Sequence, residues 1–289
     1  MNPKKILIRA LSGAVYIAII VGLICLGPLG TLLLAEILAV MATLEFERIS
    51  MGQYRMPPLQ RALIVLAVVA MVCIPTPIAL GSAATFLLCL FLLYLCELFG
   101  DAKRPLATIK TAAMAIVYVG LPMMTMTLTA MTLSGSSGSG SFADLSQCSY
   151  NVCFPILLMF ILIWINDTGA FLVGSLIGRH KLFERISPKK TWEGFFGGMA
   201  LTVAAAVAMQ VCGLQDFFNF HFSTAVWGVL GVLICLLATI GDLAESMIKR
   251  NLGLKDSGMI MPGHGGILDR IDSLLFVMPA FALFIFFFS

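Results

Sequence analysis

The sequence predicts an all-α integral membrane protein with about nine transmembrane helices, its amino terminus cytoplasmic and its carboxy terminus on the opposite side. Three observations lead there. Hydrophobic residues make up 60% of the 289 positions and charged ones only 11%, and mean hydropathy is +1.01, beyond what a water-soluble domain carries. The apolar residues come in continuous runs rather than in the period-two alternation of a membrane barrel, so helices must satisfy the backbone in lipid. When those runs are threaded alternately through a bilayer, all 18 Lys and Arg residues fall in loops on one side.

A span needs about 20 residues to cross a ~30 Å hydrocarbon core. Runs of suitable character lie near 10–27, 29–45, 61–76, 78–97, 110–133, 152–173, 194–212, 224–243 and 273–289. The first follows Lys4, Lys5 and Arg9 and would pass for a signal peptide, but it continues through Leu26 without a small-residue cleavage site. It is expected to be a transmembrane helix. Pro75-Thr76-Pro77 separates the third run from the fourth as a tight turn or broken helix. Residues 134–151 are rich in Gly and Ser and read as a flexible connector on the far side. The organisation expected is therefore a scaffold of spans over 1–133, the 134–151 loop, and a catalytic membrane region over 152–289.

Several classes are excluded or disfavoured by composition. A net charge of +3 gives no reason to expect nucleic acid as a partner. The eight cysteines lie mostly inside apolar runs without CxxC or metal-like spacing, so neither disulfides nor zinc are expected. Trp164, Trp192 and Trp227 are candidate interface anchors. Glu36, inside the second run, has no evident partner and receives no role, and His180 and His221 read as interfacial.

The polar residues concentrate in the second half, in 178–193 and 242–272. Asn166-Asp167 places a carboxylate inside the sixth run, where ionisation is costly unless it is paired, hydrated or metal-bound. In 184–198, ERISPKKTWEGFFGG, Ser187-Pro188 resembles a helix start. Lys189, Lys190, Thr191 and Glu193 add charges and hydrogen-bonding groups suited to a polyphosphate, although no P-loop is present. Asp242, Glu245, Ser246 and Lys249 fall at i, i+3, i+4 and i+7, one face of a helix. Asp242 with Asp269 and Asp272 offers the hard oxygen ligands that Mg²⁺ prefers, while Lys249, Arg250 and Arg270 offer ordinary ion pairing to the same carboxylates. The glycines of Pro262-Gly263-His264-Gly265-Gly266 would allow backbone to approach a ligand.

The run SMIKRNLGLKDSGMIMPGHGGILDRID at 246–272, with SPKKTWEG at 187–194 and GDL at 241–243, resembles the signature of the phosphatidate cytidylyltransferases, the CDP-diacylglycerol synthases. The resemblance covers roughly 166–273; the amino-terminal half agrees only as hydrophobic spans. It implies transfer of a cytidylyl group from CTP to phosphatidate with Mg²⁺ as cofactor, a second cation being compatible, in a bacterial inner membrane with the site on the cytoplasmic side. It also implies that Asp242 and Asp269 hold the metal and that Ser187, Lys189, Lys190 and Thr191 lie near the nucleotide. Lys249, Arg250, Lys255, Asp256 and His264 match the polar positions of the signature, and Asp167 and Glu193 complete the expected catalytic and substrate-binding set. The expected partners are CTP, phosphatidate and the surrounding membrane lipids; a homodimer is compatible with the sequence.

Two alternatives remain open at this point. One is another CTP-dependent lipid enzyme, a polyisoprenoid-alcohol kinase or a CDP-archaeol-type synthase. The other is an ion or solute transporter using Asp167 and Asp242 as a relay, which would need polar residues through both leaflets rather than at one end. A CDP-alcohol phosphotransferase lacks support because the D-G-x-x-A-R opening of its motif is absent.

Overall fold

The computed structural model describes residues 3–52, 56–100, 105–135, 148, 150–254, 258 and 265–288, with only the backbone described at 3–10, 105 and 150. The order is α1 (Pro3–Cys25), α2 (Gly27–Met51), α3 (Pro58–Val72), α4 (Ala79–Phe99), α5 (Pro105–Ala115), a π-helical turn (Ile116–Gly120), α6 (Leu121–Leu133), a 3₁₀ turn (Tyr150–Cys153), α7 (Phe154–Ile177), β1 (Lys181–Phe183), β2 (Ser187–Thr191), α8 (Trp192–Val211), α9 (Thr224–Asn251) and α10 (Leu268–Phe288). This is an all-α integral membrane fold with one small hairpin.

Seven helical stretches among the described residues are long and apolar enough to cross a membrane: Gly27–Met51, Ala79–Phe99, Leu106–Leu133, Asn151–Ile177, Trp192–Val211, Thr224–Asn251 and Leu268–Phe288. The other two expected runs correspond to α1, Pro3–Cys25, and to the shorter apolar helix Pro58–Val72. Seven of the nine expected spans thus correspond to long apolar helices among the described residues. Large apolar side chains cover the outside, Leu80 being 87% and Phe99 81% exposed. Water would penalise such a surface and lipid does not.

Helices α7 to α10 pack in chain order, α7 on α8, α8 on α9 and α9 on α10, while α2 and α10 both pack on α6. The α7–α8 seam is built from small residues: a Cβ on Gly194 would lie 2.8 Å from the Ala170 carbonyl oxygen and 3.1 Å from the Gly174 Cα. Small residues let helix backbones approach this closely in lipid, where no hydrophobic force drives them together. Between α5 and α6, the N–H of Leu121 bonds the Ile116 carbonyl five residues back. Pro122 follows it, and a residue without an N–H cannot continue the ordinary ladder. Trp227, a candidate interface anchor, is instead fully buried, with its ring perpendicular to that of Phe220 at 5.0 Å. All eight cysteines are free thiols.

Three local departures from expectation matter for the site. Ser187-Pro188 does not start a helix: residues 187–191 form a strand paired antiparallel with β1, Lys181 opposite Thr191 and Phe183 opposite Ser187. Helix α8 begins after Thr191, whose hydroxyl accepts the Gly194 N–H at 3.2 Å; a Thr cap wins over Pro188, which an edge strand tolerates. Helix α9 runs to Asn251, two turns past the apolar run, and α10 starts at Leu268 rather than 273. The last two changes carry acidic residues onto helical turns.

Candidate active site

The polar ends of α9 and α10, the β hairpin and the carboxy-terminal end of α2 meet at one end of the bundle. On α9, the predicted helix face is realised: Ser246 Oγ donates to Asp242 Oδ1 at 3.3 Å, and Lys249 Nζ lies 2.5 Å from Glu245 Oε2. Helix α10 packs against this face so tightly that a Cβ on Gly241 would lie 2.5 Å from the Asp272 carbonyl oxygen. Only glycine fits there. That contact brings Asp272 across to α9, and Asp242, Glu245 and Asp272 present carboxylate oxygens all within 4.8 Å of one another. Glu245 is 3% exposed, and its Oε1 has no hydrogen-bond partner among the described residues.

Asp269 lies one turn nearer the start of α10. Its Oδ1 accepts from Lys249 Nζ at 2.6 Å, and its Oδ2 accepts the Gly266 N–H at 3.0 Å. The same ammonium therefore bridges Glu245 on α9 and Asp269 on α10. The structure groups Asp242 with Glu245 and Asp272, and joins Asp269 to that group through Lys249. The ion-pairing reading and the metal-ligand reading of these residues coexist in one cluster.

The hairpin faces this cluster. Lys190 Nζ reaches Asp242 Oδ2 at 2.6 Å, linking the two polar segments. A cavity of about 440 Å³ lies beside the pair, with Asn166, Asp167, Lys189, Lys190, Thr191 and Asp242 as its polar lining. Phe171 also lines it and is 72% exposed on the outside of α7, so the cavity reaches the apolar outer surface. Arg250 Nε donates to the Ile186 carbonyl at 3.4 Å, bracing the hairpin turn against the end of α9. Glu193, in the first turn of α8, accepts the N–H groups of Arg179 at 3.1 Å and His180 at 3.2 Å and contacts His180 Nδ1 at 2.6 Å. It clasps the hairpin's base, where a carboxylate also suits a helix amino terminus. Ser187 sits opposite Phe183 at the far end of β2, away from the cavity lining. Lys255, Asp256 and His264 lie outside the described residues.

With the geometry in place, comparison with known proteins is decisive. The sequence pattern of the cytidylyltransferase family matches residues 7–288. The chain belongs to that family. Proteins named phosphatidate cytidylyltransferase are similar to it: one from Staphylococcus epidermidis is 45% identical over 124 residues, and one from Staphylococcus aureus is 48% identical over 126. Another, from Staphylococcus saprophyticus, is 44% identical over 124 residues. Each alignment covers 43% of this chain and 46% of the relative, so the chain spans just under half of those relatives' length in the match.

Within this family member the cluster includes residues to which the sequence gave no site role. Asp272 was already read beside Asp242 and Asp269 as a hard oxygen ligand, whereas Glu245 was visible only as the i+3 partner of Asp242 and the i−4 partner of Lys249. Glu45 on α2 gave no such signal, yet its Oε2 accepts the Ile267 N–H at 2.6 Å. Asn166, 3% exposed with an unpartnered Oδ1 among the described residues, is legible only as the neighbour of Asp167.

Proposed function

We propose that the protein transfers the cytidylyl group of CTP to phosphatidate, giving CDP-diacylglycerol and pyrophosphate for phospholipid synthesis. The observation that carries this reading is the 2.6 Å contact between Lys190 and Asp242, which sets the Lys189-Lys190 segment against a carboxylate cluster in a cytidylyltransferase-family chain. The names of the staphylococcal relatives support phosphatidate as the acceptor. So does a cavity open to both the polar end and the apolar flank of the bundle. The catalytic machinery falls to 152–289 and the scaffold to 1–133, with the basic loops cytoplasmic, as the positive-inside rule favours.

The donor set fits a hard divalent cation: three carboxylates converge within 4.8 Å, and one buried oxygen, Glu245 Oε1, has no hydrogen-bond partner among the described residues. Asp242, Glu245 and Asp272 would hold Mg²⁺, with Asp269 beside them through the shared Lys249, and a second cation would draw on the same carboxylates. When bound, the metal neutralises charge gathering on the α-phosphate and on departing pyrophosphate.

The chain's own residues orient the substrates. Lys189 and Lys190 bind the outer phosphates by charge-assisted hydrogen bonds, and Thr191 fixes where β2 hands over to α8. A phosphatidate oxygen forms its bond to the α-phosphorus of CTP while the bond from that phosphorus to the α–β bridging oxygen breaks, and the bridging oxygen leaves with pyrophosphate. The attacking oxygen is already anionic near neutral pH, so no nucleophilic Ser/His pair is required. Lys249 and Arg250, at the meeting of α9, α10 and the hairpin, are placed to hold phosphate charge. Asp167, inside the cavity, keeps a lysine-facing carboxylate where the nucleotide must pass.

The test is purified protein supplied with labelled CTP and a panel of lipid phosphates and alcohols. Phosphatidate should yield a CDP-lipid with equimolar pyrophosphate. Phosphorylation of a polyisoprenoid alcohol with release of CDP would replace this reading by a lipid kinase, and preference for an ether-linked archaeal-type lipid would move it to the archaeol synthases.

A further inference from the structure

We infer that Glu45, in the amino-terminal half, is a positioning residue of the active site: its carboxylate supplies the amino-terminal cap that α10 lacks and so sets Asp269 and Asp272 against α9. The inference rests on the reading that those aspartates belong to the reaction centre.

Helix α10 starts at Leu268, and the residue before it is Ile267, whose side chain has nothing to offer the orphan N–H groups of a first helical turn. Two carboxylates fill the gap. Asp269 takes the Gly266 N–H from within the helix, and Glu45 takes the Ile267 N–H at 2.6 Å from a position 222 residues away. A negative group at this end is also favoured by the helix dipole.

The placement is costly and therefore informative. Glu45 is 3% exposed, and among the described residues it meets no Lys or Arg, while its Oε1 has no hydrogen-bond partner there. Burying a carboxylate carries a desolvation cost that such partners offset. Glu47, two residues on and equally buried, has instead an ordinary ion pair with Arg61 at 2.7 Å. Glu45 also lies against the backbone at Gly258. A Cβ on Gly258 would lie 3.1 Å from Glu45 Oε1. The neighbouring Phe46 ring packs 5.8 Å from Tyr118 of the π turn, and Tyr118 in turn packs 6.4 Å from Phe276 of α10. This aromatic seam fixes α2 to α10 one turn beyond Asp272, so Glu45 can transmit the position of one helix to the acidic face of the other.

The experiment compares purified full-length wild type, Glu45→Ala, Glu45→Gln and Glu47→Ala. CDP-lipid formation is followed against MgCl₂ concentration, and thermal unfolding in detergent is recorded with and without MgCl₂. Glu45→Ala should lose ~10–100-fold in kcat, need several-fold more Mg²⁺ for half-maximal rate and lose the Mg²⁺-induced rise in Tm, with KM for CTP changed by less than ~3-fold. Glu45→Gln keeps an acceptor oxygen and should recover most of the rate. Glu47→Ala should lower Tm yet respond to Mg²⁺ as wild type does. Should Glu45→Ala not fold, Glu45→Asp, one methylene short of Ile267, takes its place in the same comparison. If the Glu45 variant behaves as Glu47→Ala does, the inference is overturned while the function stands. If wild type itself makes no CDP-lipid, the functional reading fails and the inference goes with it.

Discussion

Lys190 and Asp242 come from segments 52 positions apart and meet at 2.6 Å, each partly open to solvent. A pair so exposed contributes no more than about 1 kcal/mol to folding, which separates its structural worth from its chemical worth. Lys190→Ala should therefore leave Tm nearly unchanged and raise KM for CTP by ~10–100-fold, the loss of one charge-assisted phosphate contact. Asp242→Asn keeps the shape and removes the charge; CDP-lipid formation should fall by at least ~100-fold with altered Mg²⁺ dependence. Near-normal turnover in that variant would remove Asp242 from the reaction centre. Both residues were legible in the sequence, because charge is conspicuous in an apolar chain and the i+3, i+4 and i+7 spacing aligned Asp242 with Glu245, Ser246 and Lys249. Glu45 was illegible for the opposite reason: its partner is a backbone N–H on another helix, and backbone groups leave no trace in a sequence.

At the scale of elements, the α9–α10 contact at Gly241 sets the spacing of the acidic residues. Gly241→Ala puts a methyl group 2.5 Å from the Asp272 carbonyl oxygen, and the helices must part. Overpacking of this kind costs about 1–3 kcal/mol. Thermal unfolding in detergent should show that loss, and activity should fall further than stability alone explains because Asp272 moves away from Asp242. Unchanged activity at reduced Tm would mean the carboxylates tolerate a wider gap. The long helices were readable from continuous apolar runs, and Pro75-Thr76-Pro77 correctly separated α3 from α4. The hairpin was not readable. Lys181–Thr191 is short, polar and free of alternation, and its fold is set by the Thr191 cap, the Glu193 clasp and Arg250 rather than by any periodicity.

The whole molecule is a bundle with a polar end and apolar flanks, and the orientation proposed for it rests on charge. In a cysteine-free background with single thiols restored, an impermeant maleimide should label Cys212 in intact cells, whereas Lys181→Cys should react only after permeabilisation. The reverse pattern would invert the topology and place the CTP site outside. Spans were easier to read than their lengths. Helix α1 begins at Pro3, ahead of its apolar run, and α9 and α10 extend beyond theirs. Hydropathy ends where charge begins, but a helix continues as long as its hydrogen bonds and neighbouring helices allow.

The Lys249 ammonium, wedged between Glu245 and Asp269, is an internal counter-ion for the acidic cluster. Mutual repulsion among the carboxylates is thus offset by the protein's own charge, and the fold is expected to hold without divalent cations. Chelation should switch the enzyme off without dismantling it: EDTA should abolish turnover yet lower Tm by less than about 4 °C, roughly 1 kcal/mol. Restoring Mg²⁺ should then restore the rate at once, with no refolding lag. In Lys249→Met the same treatment should unfold the protein instead. If both predictions hold, scarcity of divalent cations would idle the protein in its membrane without unfolding it.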